Sequence, residues 1–193
     1  MPSDQIIYAG VEFSSGRRPV TFAALDNELN IKGLESWNIP EALTRLDEYE
    51  SIWLAMSLPA RESEASNDFR KKIIHSGFKS YSNRQDPKQF LVTNAQDCFR
   101  VLAGGHNLLP RRSLEGRLQR SAILYEQELQ IKDPIDVFEE ITRFKLIQGI
   151  LPLENIYSSK QLDALVAAYL AWMAVNRPGQ IALKGEFALP AQE

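Results

Sequence analysis

The chain has 193 residues, 44% of them hydrophobic and 24% charged, with a net charge of −3. This length suffices for one domain with a full core, residues 1–193, and the composition is ordinary for a globular protein. The weak negative balance disfavours a whole-surface nucleic-acid binder and leaves room for a local basic patch. One cysteine, Cys98, excludes an internal disulfide, and two histidines beside it exclude a zinc cluster of the Cys/His type. Met1-Pro2-Ser3-Asp4 lacks the basic and apolar regions of a secretory signal. No apolar run approaches the roughly 20 residues that span a bilayer. A cytoplasmic protein without a membrane partner is the expectation.

Residues 5–13, 18–26 and 29–38 read as three strands joined by short links, hence antiparallel neighbours. Pro40 fits the start of a helix with Ala42, Leu43, Leu46 and Tyr49 at helical spacing. Ile52-Trp53-Leu54-Ala55-Met56 is apolar without alternation, the mark of a strand covered on both faces, and Pro59 ends it. Residues 62–76 read as a helix stopped by Gly77. The polar stretch 78–93 has no clear periodicity. Asn94 caps a short helix, 95–103, ending at Gly104-Gly105. Residues 106–119 read as a basic loop or an excursion from the core, and Ser121-Ala122-Ile123-Leu124-Tyr125-Glu126 as another core strand. Asp133-Pro134 opens a helix that Gly149 stops. Ser158-Ser159-Lys160-Gln161 is a capping box for a last helix running to Asn176, and 181–189 reads as a terminal strand.

An antiparallel meander followed by α/β crossovers is the ribonuclease H-like layout. The expected fold is therefore α/β, with a mixed sheet of about five strands flanked by helices. Glu12 closes the first strand, Glu126 closes the 121–126 strand, and Asp163 lies in the first turns of the last helix. In this topology all three acids face one edge of the sheet. Two-metal phosphoryl transfer needs acids from separate elements converging on ions about 3.5–4 Å apart. Magnesium takes hard oxygen ligands and retains waters, so two or three carboxylates suffice. The bland alternative is that these acids meet water, with Asp163 favoured by the helix dipole. Asp163 stands out because its helix is apolar nearly all round, as buried helices are.

At four points the residues resemble the predicted ribonuclease H-like nuclease family catalogued as domain of unknown function 429. They are Gly10-Val11-Glu12; Met56-Ser57-Leu58-Pro59; Gly116-Arg117-Leu118-Gln119-Arg120 running into Tyr125-Glu126; and Leu162-Asp163-Ala164-Leu165. The tail Phe187-Ala188-Leu189-Pro190 is similar as well. The resemblance implies a ribonuclease H-like fold and Mg²⁺- or Mn²⁺-dependent cleavage of a nucleic acid. Glu12 and Asp163 would bind metal, Glu126 would bind metal or orient water, and Arg117 and Arg120 would bind phosphate. Two departures make the acidic site partly degenerate. Glu12 stands for the family's Asp, and its extra methylene shifts the carboxylate by about 1.5 Å, more than catalytic geometry tolerates. Ser57 stands for another Asp and supplies no charge. The alternatives are a non-catalytic nucleic-acid- or protein-binding module on the same fold, and a purely structural domain.

Arg111, Arg112, Arg117 and Arg120 form a basic cluster, either a phosphate grip or a solvated loop, and it has no aromatic for base stacking. Gly104-Gly105-His106-Asn107 lacks the Gly-Lys-Ser/Thr of a phosphate loop and reads as a helix end. Neither histidine has a serine or cysteine partner in a hydrolase motif. Cys98, Trp53 and Trp172 read as core residues.

Overall fold

The computed structural model describes residues 6–14, 17–58, 64–81, 86–149 and 156–191. Strands β1 (Ile7–Phe13), β2 (Val20–Leu25) and β3 (Ile31–Trp37) form the expected antiparallel meander. The β2–β3 turn is built on Asp26, whose carboxylate accepts from the backbone N–H of Glu28 and Asn30 and pairs with Lys32 at 2.8 Å. Burial pushes the Asp26 carboxyl up, but the Lys32 and Asn30 hydrogen bonds outweigh it and hold the group below the ordinary range.

Helix α1 (Ile39–Asp47) begins at Asn38, whose side chain accepts from Glu41 N–H, with Pro40 in the first turn. Strand β4 (Ile52–Ser57) is buried along its whole length and runs parallel to β1, as its unalternated apolar run requires. Helix α2 (Glu64–His75) ends before Gly77, which takes the left-handed conformation at φ 90°. Strands β5 (Lys79–Ser80) and β6 (Lys88–Thr93) follow, then α3 (Ala95–Leu102), capped by Asn94. Helices α4 (Leu114–Glu126), α5 (Pro134–Gln148) and α6 (Ser159–Asn176) come next, and α6 carries the capping box between Ser158 and Gln161. A 3-10 turn, Pro178–Gln180, leads into the hairpin β7 (Ile181–Lys184) and β8 (Phe187–Pro190).

Among the described residues the sheet has eight strands in the order β3-β2-β1-β4-β6-β8-β7, with β5 also paired to β6. β1, β4, β6 and β8 are mutually parallel neighbours. Helices α3, α4 and α6 bury apolar side chains on one face, and α1 and α2 on the other. Every residue of α6 from Leu162 to Ala174 is buried. Gly10 permits this: a Cβ there would stand 2.0 Å from the Ala164 carbonyl oxygen and 2.3 Å from the Ala168 nitrogen. Among the described residues, no helix is long and apolar enough to cross a membrane.

Four expectations need correction. The sheet has eight strands rather than about five, because 78–93 contains β5 and β6 and the single strand expected at 181–189 is a hairpin. The polar Lys88 and the fully buried Gln89 mask the apolar run of β6. Residues 121–126 are the second half of α4, not a strand, and that helix also takes in 114–119, expected as loop. Its buried face is Gly116, Arg120, Ser121, Ile123 and Leu124, so a buried arginine breaks the apolar stripe that would reveal a helix. Pro59, the helix start at 62–63 and the Ser15-Gly16 part of the first link lie outside the described residues.

Candidate functional site

Glu12, Ser57 and Thr93 lie side by side at the carboxyl ends of β1, β4 and β6. Strand alternation turns all three toward the face that carries α6, because Gly10, Ala55 and Leu91 two residues earlier pack there. The row continues through Thr21 on β2, opposite Glu12, to Ser36 on β3, opposite Thr21. Five neighbouring strands thus place one polar residue each at the same level. The parallel strands of an open α/β sheet bind ligands beyond such carboxyl ends. Here they border a cleft of about 350 Å³ lined by Glu12, Ser57, Gln96, Arg111 and Asp163 among others.

Asp163 enters this cleft from the first turns of α6, with its side chain 2% exposed, and Glu12 from β1 at 12%. Between them stands Arg111, from the turn that precedes α4. A single nitrogen, Arg111 Nη2, donates to Glu12 Oε1 at 3.0 Å and also touches Asp163 Oδ2. The other Asp163 oxygen, Oδ1, accepts from Gln96 Nε2 at 2.8 Å. The orientation of Gln96 is fixed from behind, since its Oε1 accepts from Arg120 Nη2 at 2.8 Å. Ser57 supports Glu12 as a hydrogen-bond donor, and its oxygen accepts from Ala95 N–H at 3.3 Å.

Burial and the neighbouring Glu12 charge push the Asp163 carboxyl up to about 7, against the opposing pull of Arg111 and Arg120. Burial also raises Glu12, despite the Ser57 and Arg111 hydrogen bonds. Removal from water therefore outweighs the guanidinium at both acids, as expected for carboxylates held close together under a helix.

The other candidate residues lie elsewhere. Glu126 is the exposed last residue of α4 and does not line the cleft. Arg117 donates from Nε to the Tyr157 carbonyl and from Nη2 to the Ile156 carbonyl, each at 2.7 Å. Arg120 is 2% exposed, donates to the Leu109 and Gly116 carbonyls, and lies over the Phe99 ring at 5.5 Å. Both guanidiniums hold the chain together, and burial lowers the pKa of each. Of the basic cluster, Arg111 enters the cleft and Arg112 is exposed. Gln96 and the pairing of Arg111 with both acids were not expected. The one sequence signal is that Gln96 sits two residues past a helix cap, where a side chain looks out over the sheet edge.

The residues of the cleft do not suit the metal that the resemblance implies. Among the described residues, no group of three or more His, Cys, Asp or Glu side chains is placed to hold a metal ion. Ser57 supplies a hydroxyl already committed to Ala95 and Glu12. Asp163 has both oxygens engaged, and the space between the acids holds a cationic nitrogen. This donor set does not fit a two-ion centre, which needs several free and bridging carboxylates. Cys98 takes no part: it is fully buried, its sulfur lies 3.0 Å from Thr93 Oγ1, and burial pushes its thiol up to about 12.

No family model, curated protein or solved structure matched this chain.

Proposed function

We propose that this chain is a ribonuclease H-like-fold binding module that engages a phosphate-bearing strand at the carboxyl edge of its sheet without cleaving it. The observation that carries this reading is the Arg111 bridge between Glu12 and Asp163. It neutralises, from within, the acid pair that a metal-dependent nuclease would keep open. The strand order β3-β2-β1-β4-β6, with a meander joined to parallel strands, supports the ribonuclease H-like assignment. So does the arrival of Glu12, Ser57 and Asp163 at one cleft, which are three of the four points of family resemblance.

Exposed cations support a phosphate-bearing partner. Arg17 and Arg18 lie on the β1–β2 link beside the cleft strand, Lys160 reaches that link through Ser14 Oγ at 3.0 Å, and Arg112 follows Arg111. Fluorescence anisotropy with labelled single-stranded and duplex oligonucleotides, over a range of salt, tests the reading. Binding that weakens steeply with salt, with the oligonucleotide left intact, is the expected result. No affinity at low salt would discard nucleic acid and leave a protein-interaction domain.

A second reading is Mg²⁺- or Mn²⁺-dependent phosphodiester hydrolysis with Glu12 and Asp163 as ligands. It is favoured by one observation, the convergence of two carboxylates from separate elements. It requires Arg111 to leave them. Manganese-dependent cleavage that Asp163→Ala abolishes would establish it over the first.

A further inference from the structure

The acid pair and Arg111 form a closed charge group. Two carboxylates, one 2% and one 12% exposed, would be costly to hold close together without a cation. The cation is supplied by the chain. Arg111 is fixed there by its turn: the Pro110 carbonyl accepts from Ser113 N–H and Oγ, each at 3.0 Å, and Ser113 Oγ in turn caps α4 at Gly116. Gly116 lies so close to this turn that a Cβ would stand 2.0 Å from the Pro110 oxygen. The helix start and the turn are therefore locked together, and Arg111 is aimed into the cleft by covalent neighbours. Its Nε is buried and has no hydrogen-bond partner among the described residues, so within the cleft the guanidinium is held by the two carboxylates.

From this geometry we infer that Arg111 is the resident cation of the site. It excludes divalent ions, and its removal uncovers a latent one-ion site made by Glu12 and Asp163. One nitrogen touches both acids, so an ion bridging the same two oxygens has to take that nitrogen's place. Without Arg111, two buried carboxylates are left with no counter-charge between them, and a divalent ion that retains waters needs few protein ligands to supply it. The inference rests on the reading of Glu12 and Asp163 as the site, and not on nucleic-acid binding.

The test is Mn²⁺ titration by calorimetry, with thermal melting in parallel, on the native protein, Arg111→Met and Arg111→Met/Asp163→Asn. The expected result is no saturable heat for the native protein, saturable binding with a raised melting temperature for Arg111→Met, and loss of both effects in the double variant. Native binding as tight as that of Arg111→Met would overturn the inference. A folded Arg111→Met that binds no Mn²⁺ would overturn it too. Should Arg111→Met fail to fold, the native protein decides by NMR. Saturable broadening of the Gly10 and Ala164 amides by Mn²⁺ would overturn the inference, and unbroadened amides would uphold the exclusion of divalent ions from the native site. Failure of oligonucleotide binding with these results intact would discard the proposed partner and leave the resident cation standing.

Discussion

Asp163 has alanines close by in its helix and still ionises near neutrality, and this ties the protein's stability to pH. Its carboxyl lies at about 7 in the folded chain against an ordinary value of 3.8. A folded-state value above the unfolded one means that the native chain holds the proton longer. Stability from this group is therefore full below about pH 4 and is lost as pH rises through 7. Glu12 is raised too and adds with the same sign. Chemical denaturation between pH 5 and 8 should show stability falling by on the order of 1 kcal/mol per pH unit up to neutrality. Asp163→Asn should flatten most of that profile, and an unchanged slope would show that Asp163 is not its source. Arg120 makes the companion case. Arg120→Lys keeps the charge but cannot serve Leu109, Gly116 and Gln96 together, and should cost about 2–4 kcal/mol in urea unfolding with an unchanged m value. That Glu12 and Asp163 would meet at one cleft was legible in the sequence, since a carboxylate at a strand tip and another in an apolar helix both stand out. Their partner did not stand out. Arg111, Arg112, Arg117 and Arg120 look alike in sequence, and only the turn at Pro110 and the axis of α4 send them in four different directions.

At the scale of elements, the contact of α6 with β1 depends on the missing side chain at Gly10. Gly10→Ala forces the helix away from the strand and should lower stability by about 1–3 kcal/mol or more, with a matching fall in melting temperature. Gly33→Ala is the control. There the nearest atom to a new Cβ is 3.5 Å away, an ordinary contact, so little change is expected. Equal effects at the two positions would refute the close approach. Start and stop residues made α1, α3, α5 and α6 readable from sequence: Pro40 suits a first turn, Asn94, Asp133 and Ser158 accept from backbone N–H groups at their helix starts, and Gly149 takes the left-handed conformation that ends α5. Helix α4 escaped because its N-cap, Ser113, is followed by a buried face that contains Arg120 and Ser121. Strand β6 escaped for the same kind of reason, with a buried Gln89. Where polar side chains are buried, hydrophobic periodicity loses its meaning.

For the whole molecule, the proposed phosphate-bearing partner would meet the basic residues that the fold leaves outside. Arg17, Arg18 and Arg112 are exposed, while Arg117 and Arg120 are tied to carbonyls. Replacing Arg17, Arg18 and Arg112 with alanine should reduce oligonucleotide affinity and lower the salt slope by about 0.7–0.9 for each phosphate left without its arginine, with the melting temperature unaltered. An unaltered slope would move the interface elsewhere. The meander and the first parallel strand were legible in the sequence because short links dictate antiparallel pairing and an unbroken apolar run dictates a covered strand. The far side of the sheet was legible only as a single strand at 181–189, because β5, β7 and β8 have only two to four residues each and are defined by their pairing partners.

The full enclosure of α6 also sets a clock. Its amides from Leu162 to Ala174 have no face open to solvent, so deuterium enters them only when the entire chain opens. Helix α5 presents Ile135, Phe138 and Ile147 to solvent and should take up label through smaller, faster openings. Asp163 is mounted on the slow element, so the cleft's inner wall keeps its shape for as long as the protein stays folded. Any breathing of the site therefore comes from the Arg111 side.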